Sequence, residues 1–180
     1  MDTYRSIISK RDTRSFSDEP VPEEVLHRIL QSARMAGSAK NAQPIRLVVV
    51  REQAQKDALA ACGQFTPHVV SSPLVIALVL VPELGVLGAP FSIFRGPFDA
   101  GRAAQNMMLT AWEAGVSSCP ASMHDAESAG TVLRLPEGHT VANLIAFGYP
   151  AGRDANTGSR PRMPLEDFIY WEMWDRPVTG

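Results

Sequence analysis

Residues 35–45, Met35-Ala-Gly-Ser-Ala-Lys-Asn-Ala-Gln-Pro-Ile45, separate two strongly patterned segments. Before them, Pro20–Arg34 reads as an amphipathic helix: Pro22 at its start, Glu23 and Glu24 in the first turn, and Val25, Leu26, Ile29, Leu30 and Ala33 on one stripe. After them comes the apolar run Leu47-Val-Val-Val50, within a strand expected over Arg46–Arg51. The segment between cannot continue the helix, because a glycine costs about 1 kcal/mol there and a proline about 3 kcal/mol. It is a helix-to-strand loop dense in hydrogen-bonding groups, and loops held by rigid elements are where binding groups tend to sit. Taken alone, the stretch is equally an ordinary polar connection.

Outward from this loop, the remaining elements follow from periodicity. Residues 2–9 form a short helix that Asp2 can cap, with Tyr4, Ile7 and Ile8 on one face. A helix covers Ala54–Ala61, and residues 63–72 hold a further helical turn at most. Residues 73–82 are a strand apolar on both faces, which places it centrally in a sheet. Asp99 opens the strongest helix, whose broad apolar face runs through Ala100, Ala103, Ala104, Met107, Met108, Ala111 and Trp112 before Gly115 stops it. Val116–Met123 is extended with small side chains, Asp125–Leu135 is helical, and Val141–Pro150 is another strand. Phe91, Phe94 and Phe98 read equally as a mobile apolar lid or as local packing. Residues 151–159 read as a flexible loop. The tail carries Phe168, Tyr170, Trp171, Met173 and Trp174, and a partner subunit is a natural place to bury them.

The 180 residues suit a single domain with a sizeable core. A net charge of −2 argues against a dedicated nucleic-acid binder. No apolar run reaches the roughly 18 residues of a membrane span, and the N-terminus lacks the apolar core of a secretion signal. Cys62 and Cys119 do not make a disulfide framework. A cytoplasmic protein with reduced thiols is expected.

Lys10-Arg-Asp-Thr-Arg-Ser-Phe16 puts three cations and one carboxylate within five residues. In extended geometry Lys10, Asp12 and Arg14 share a side, while Arg11 points elsewhere or reaches round on its stem. Such clusters suit a phosphate; a solvated charge run is the plainer alternative. No dinucleotide or Walker-type glycine loop is present, and no nucleophile elbow. The histidines show no metal-ligand spacing, and Cys119 reads better as a buried thiol than as a nucleophile. With no protein catalyst in view, the chain is either a binder or the host of a cofactor that carries the chemistry.

Taken together, these stretches resemble the nitroreductase family of flavoproteins. The resemblance rests on Lys10–Phe16, on Ala36-Gly-Ser-Ala-Lys-Asn-Ala-Gln-Pro-Ile45, and on Asp99-Ala-Gly-Arg-Ala-Ala-Gln-Asn106. It rests also on Gly115-Val-Ser-Ser-Cys-Pro120, and on Gly148-Tyr-Pro150 with Arg160-Pro-Arg-Met-Pro-Leu165. It implies an α+β fold with a mixed central sheet flanked by helices, built as an intertwined homodimer with an exchanged C-terminal tail. FMN would lie at the dimer interface. Lys10, Arg11 and Arg14, with Arg160 and Arg162, would hold the phosphate and ribityl chain. Ser38, Ala39, Asn41 and Gln43 would come from the other subunit, and Pro120, Ala121, Ser122 and Met123 would line the ring, with Ser122 matching a family amide donor to flavin N5. The implied activity is ping-pong oxidoreduction: NADH or NADPH as reductant, and a nitroaromatic, quinone or similar small molecule as acceptor. Asp12 stands where the family has Ser; a carboxylate there should avoid the phosphate and accept from the flavin N3–H or a ribityl hydroxyl. Asp at this position also resembles the branch that cleaves FMN to make dimethylbenzimidazole, and a non-catalytic flavin carrier or sensor is a third reading. Gly37 and Ile45 replace Pro and Trp on the substrate side.

Overall fold

Leu74–Leu80 is a strand buried along nearly its whole length, and it organises the rest. A computed structural model describes residues 2–82, 95–152 and 161–174. In chain order the elements are α1 (Thr3–Ser9), α2 (Glu23–Arg34), β1 (Ile45–Val50), α3 (Gln53–Ala61), α4 (Pro67–Ser71) and β2 (Leu74–Leu80). They continue with α5 (Arg95–Glu113), β3 (Ser117–Ala121), α6 (Ala126–Val132), β4 (Thr140–Gly148) and α7 (Leu165–Phe168).

The four strands form one sheet in the order β1-β2-β4-β3, so β2 is an inner strand, as its two-faced apolar pattern requires. Every ladder is antiparallel. Among the described residues the expected mixed character is confined to one parallel bridge, between Asp12 and Ser118. A continuous apolar strand normally points to a parallel sheet. Here helices cover both faces of an antiparallel one, and the signature is the same. On one face Leu26, Ile29 and Ala33 of α2 and Ala103, Met107 and Ala111 of α5 pack against Ile76, Ile145 and Phe147. On the other, Leu59, Val69 and Ala129 from α3, α4 and α6 meet Val75, Ala77 and Leu144.

α1 starts as expected, with the Asp2 carboxylate accepting from the Arg5 amide at 2.8 Å. Its Tyr4, Ile7 and Ile8 face outward. The helix is tied to α5 by the Trp112 indole N–H, which donates to Ser9 Oγ at 2.9 Å. α5 begins at Arg95, not at Asp99. Pro97 falls in the first turn, where an amide has no intrahelical acceptor to lose, so the helix tolerates it. Asp99 is thereby moved one turn inside and is buried. α4 is pinned from below: the buried Lys56 ammonium donates to the Ser72 carbonyl at 2.5 Å, and burial lowers its pKa.

Phe91, Phe94 and Arg160, and most of the loop expected at 151–159, lie outside the described residues. Phe98 is exposed, with the Arg102 guanidinium 5.8 Å from its ring centre. Among the described residues no helix is long and apolar enough to cross a membrane. The tail is exposed from Met163 to Trp174 apart from the half-buried Ile169, and Tyr170 stacks on Trp174 at 4.3 Å.

Candidate functional site

Two groups of the expected ligand residues are built in two different ways. The first is the arm 10–17, laid along the outer edge of β3. Asp12 bridges Ser118, and the Thr13 amide donates to the Ser118 carbonyl at 3.2 Å. Further on, the Ser17 amide donates to Tyr149 O at 2.8 Å and the Ala151 amide to Ser15 O at 3.0 Å. Phe16 is the anchor: it is buried against Cys119 and Ala146. Gly148 makes room for it, since a Cβ there would sit 2.7 Å from Pro73 Cδ and 3.0 Å from Phe16 Cδ1. Backbone pairing therefore places the basic residues beside the strand expected to line a ring.

Within the arm the cations have different fates. Lys10 donates to the Asp12 carboxylate and lies 3.6 Å from Met108 Sδ on α5. Arg11 turns back and caps α1, donating to the carbonyls of Ile8 at 2.8 Å and Lys10 at 2.9 Å. Arg14 is exposed. On β3 and just beyond it, Pro120 and Ser122 face outward, Ala121 points into the core, and Met123 is half-buried against the α3/α6 face. The Ser118 hydroxyl is buried without a hydrogen-bond partner.

Beneath this strand lies His68, which sequence reasoning did not single out. It is buried, and its Nε2 has no hydrogen-bond partner. Burial holds its pKa below the usual value; the Pro120 carbonyl pulls it back up, and the Arg14 charge lowers it further. One imidazole thus senses both β3 and the arm. Cys119 is also buried, and its thiol is pushed up to about 11, first by burial and then by the Asp12 carboxylate. It stays protonated at neutral pH and is no nucleophile.

The second group is the loop 36–45. It contains a short 3-10 turn at Ala39–Asn41, and Lys40 and Asn41 within the turn and Gln43 just after it have positive φ (51°, 57° and 49°). Left-handed geometry costs a non-glycine residue roughly 1–2 kcal/mol. Side chains hold it: Ser38 Oγ accepts from the Gln43 amide at 2.8 Å, and Gln43 Nε2 donates to Asn41 O at 3.3 Å. The Ala39 amide points at the buried Asp99 carboxylate, 3.4 Å away, and Arg102 lies 3.7 Å from the same carboxylate. Gly37 lets that guanidinium in, since a Cβ there would meet Arg102 Nη2 at 2.2 Å. Ser38 and Gln43 open onto a cleft of ≈ 250 Å³ floored by Asp99 and Ala103. Asp99 and Arg102 were visible in sequence only as part of a helix motif; their hold on the loop is a long-range contact that spacing cannot show.

The structure does not bring the two groups together within one chain. The loop leads into β1, at one edge of the sheet, while the arm lies on β3, at the other. Three strand spacings, about 14 Å, separate those edges. The ladders Ile45↔Leu80 and Leu80↔Thr140 set the loop level with the start of β4, whereas Phe147↔Ser118 and the bridges Asp12↔Ser118 and Phe16↔Pro150 set the arm level with its end, so the two groups also lie at opposite ends of the sheet. Arg162 belongs to neither group; it is exposed in the tail beside Met163, Leu165 and Phe168.

Solved nitroreductases share this α+β fold. A nitroreductase from Desulfovibrio desulfuricans, solved in complex with FMN, superposes with a TM-score of 0.81 at 27% identity, over 97% of this chain and 99% of its own. The nitroreductase family profile matches residues 7–149, and the chain belongs to that family. An NADH dehydrogenase of Thermus thermophilus is 31% identical over 202 residues, covering 95% of this chain and 96% of its own. An FMN reductase (NAD(P)H) of Bacillus subtilis is 24% identical, covering 96% of this chain and 74% of its own.

Proposed function

We propose that the chain is a homodimeric FMN-dependent oxidoreductase that takes reducing equivalents from NADH or NADPH and delivers them to a small acceptor such as a nitroaromatic or quinone. The carrying observation is the split site: arm and loop lie at opposite edges and opposite ends of one sheet, so one chain cannot close both on one ligand, and a second copy related by a two-fold axis would supply the missing half. The exposed faces of α1 and of the tail are the apolar surface such a pairing would bury.

The residues present fit a flavin nucleotide. Pro120 offers an apolar, outward face to a ring, the buried Ser118 hydroxyl is unpartnered beside it, and the arm supplies cations for a phosphate. Arg14, exposed on the arm, would make charge-assisted bonds to that phosphate. Ser38, Ala39, Asn41 and Gln43 would reach the ring from the other subunit. When bound, FMN supplies the two-electron exchange between reductant and acceptor. The protein orients the ring, excludes water from one face and holds the two substrates in turn at the other, which is ping-pong order.

Anaerobic titration tests this. Purified protein supplied with FMN should turn yellow and bleach on addition of NADH or NADPH, then recover on addition of menadione or a nitrofuran. Initial rates should give parallel double-reciprocal lines. A monomer in sedimentation that leaves FMN fluorescence unchanged would overturn the proposal.

A further inference from the structure

Lys10 heads the basic arm, yet its charge is already matched. Its side chain is only 11% exposed, against 40% for Asp12. Its ammonium donates to the Asp12 carboxylate, with Met108 Sδ 3.6 Å away on the core side. The pairing is held from the backbone, because Asp12 is fixed by its bridge to Ser118. Arg11, the next cation, is spent on the Ile8 and Lys10 carbonyls. A phosphate arriving at this arm must therefore draw Lys10 away from a carboxylate that stays behind, and must lie near that carboxylate's negative charge. Both effects act on a phosphorylated ligand and leave its uncharged part untouched.

Resting on the flavin reading above, we propose that Asp12 sets the affinity for the phosphate of the flavin nucleotide by holding Lys10, so that this chain binds FMN less tightly than its basic arm would otherwise allow. Asp12 is then a specificity-determining residue: it narrows the gap between phosphorylated and unphosphorylated flavin. A direct bond from Asp12 to the ring or the ribityl chain predicts the opposite sign on mutation, which makes the two roles separable.

The experiment compares FMN and riboflavin binding, by fluorescence quenching, to the wild-type dimer, to Asp12→Asn, and to Lys10→Met/Asp12→Asn. Asp12→Asn should tighten FMN on the order of tenfold and leave riboflavin unchanged. The gain should shrink in high salt, because the arm is partly open to solvent. Adding Lys10→Met should return FMN affinity to about the wild-type level, since the gain runs through the released ammonium. Circular dichroism and sedimentation of each variant establish that it is folded and dimeric. Weaker binding of both flavins to Asp12→Asn overturns the inference in favour of direct contact. Equal tightening of both, no change in either, or a gain that survives Lys10→Met overturns it as well. A wild-type chain that binds neither flavin overturns the flavin reading itself, and this inference with it.

Discussion

The arm at the β3 edge and the loop at the β1 edge lie at opposite ends of the sheet and are stabilised in opposite ways. The arm is held by backbone pairing and one buried aromatic anchor, in extended geometry that any residue adopts. The loop is held by side chains bonding to amides, against three residues in left-handed geometry. The arm is thus part of the fold, and damage to it is damage to the core. The loop is a strained attachment whose conformation is retained at a cost to stability, a pattern common where chain segments bind ligands.

The largest effect that would test this contrast is loss of the arm's anchor. Phe16→Ala should cost about 3–4 kcal/mol in urea unfolding and abolish flavin binding with it, because the arm leaves β3. A loss under about 1 kcal/mol would place the arm outside the core.

The two edges should also differ in their response to pH. Cys119 and His68, both buried and both shifted by that burial, lie by the arm. On the alkaline side the native thiol near 11 stays protonated after the unfolded chain's thiol, near 9, has ionised. Stability is then intact below pH 9 and falls by roughly 2 kcal/mol as pH rises towards 11. Cys119→Ala should flatten that decline. On the acid side His68 is held neutral, so the unfolded chain takes up the proton first and stability falls as pH drops through 6.5. Urea midpoints across the pH range measure both limbs.

Smaller effects belong to the loop. Ser38→Ala removes the acceptor for the Gln43 amide and should cost about 1 kcal/mol, with a larger relative loss in flavin affinity than in stability. Lys40→Gly should go the other way, raising stability by about 0.5–1 kcal/mol, because glycine adopts the left-handed region freely. Thermal unfolding of the two variants beside wild type gives the signs, and matching signs would remove the distinction between the edges.

How much of this was legible from sequence follows the same division. The stripe of α2, the inner strand β2 and the capped α1 were visible because apolar spacing and a capping residue are local signals. The nitroreductase-like α+β fold followed from short motifs in order. The start of α5 was misplaced because Asp99 looks like a cap, whereas it serves as a buried acceptor for the distant Ala39 amide. The antiparallel sheet was hidden by helices on both faces. His68 carried no signal, since nothing in Pro-His-Val-Val-Ser places it beneath Pro120. The basic residues 10–14 were recognised as a cluster, but their division into a matched pair, a helix cap and an exposed arginine depends on rotamers that spacing does not encode.

The placement of the tryptophans has a practical consequence. The chain has three, at 112, 171 and 174, and the latter two sit exposed on the tail while Trp112 is lodged between α1 and α5. Emission from the tail pair should shift to shorter wavelength when two copies meet and back again on dilution, leaving the Trp112 contribution as an internal constant. The tail thus carries a built-in optical gauge of the proposed pairing, readable without labels.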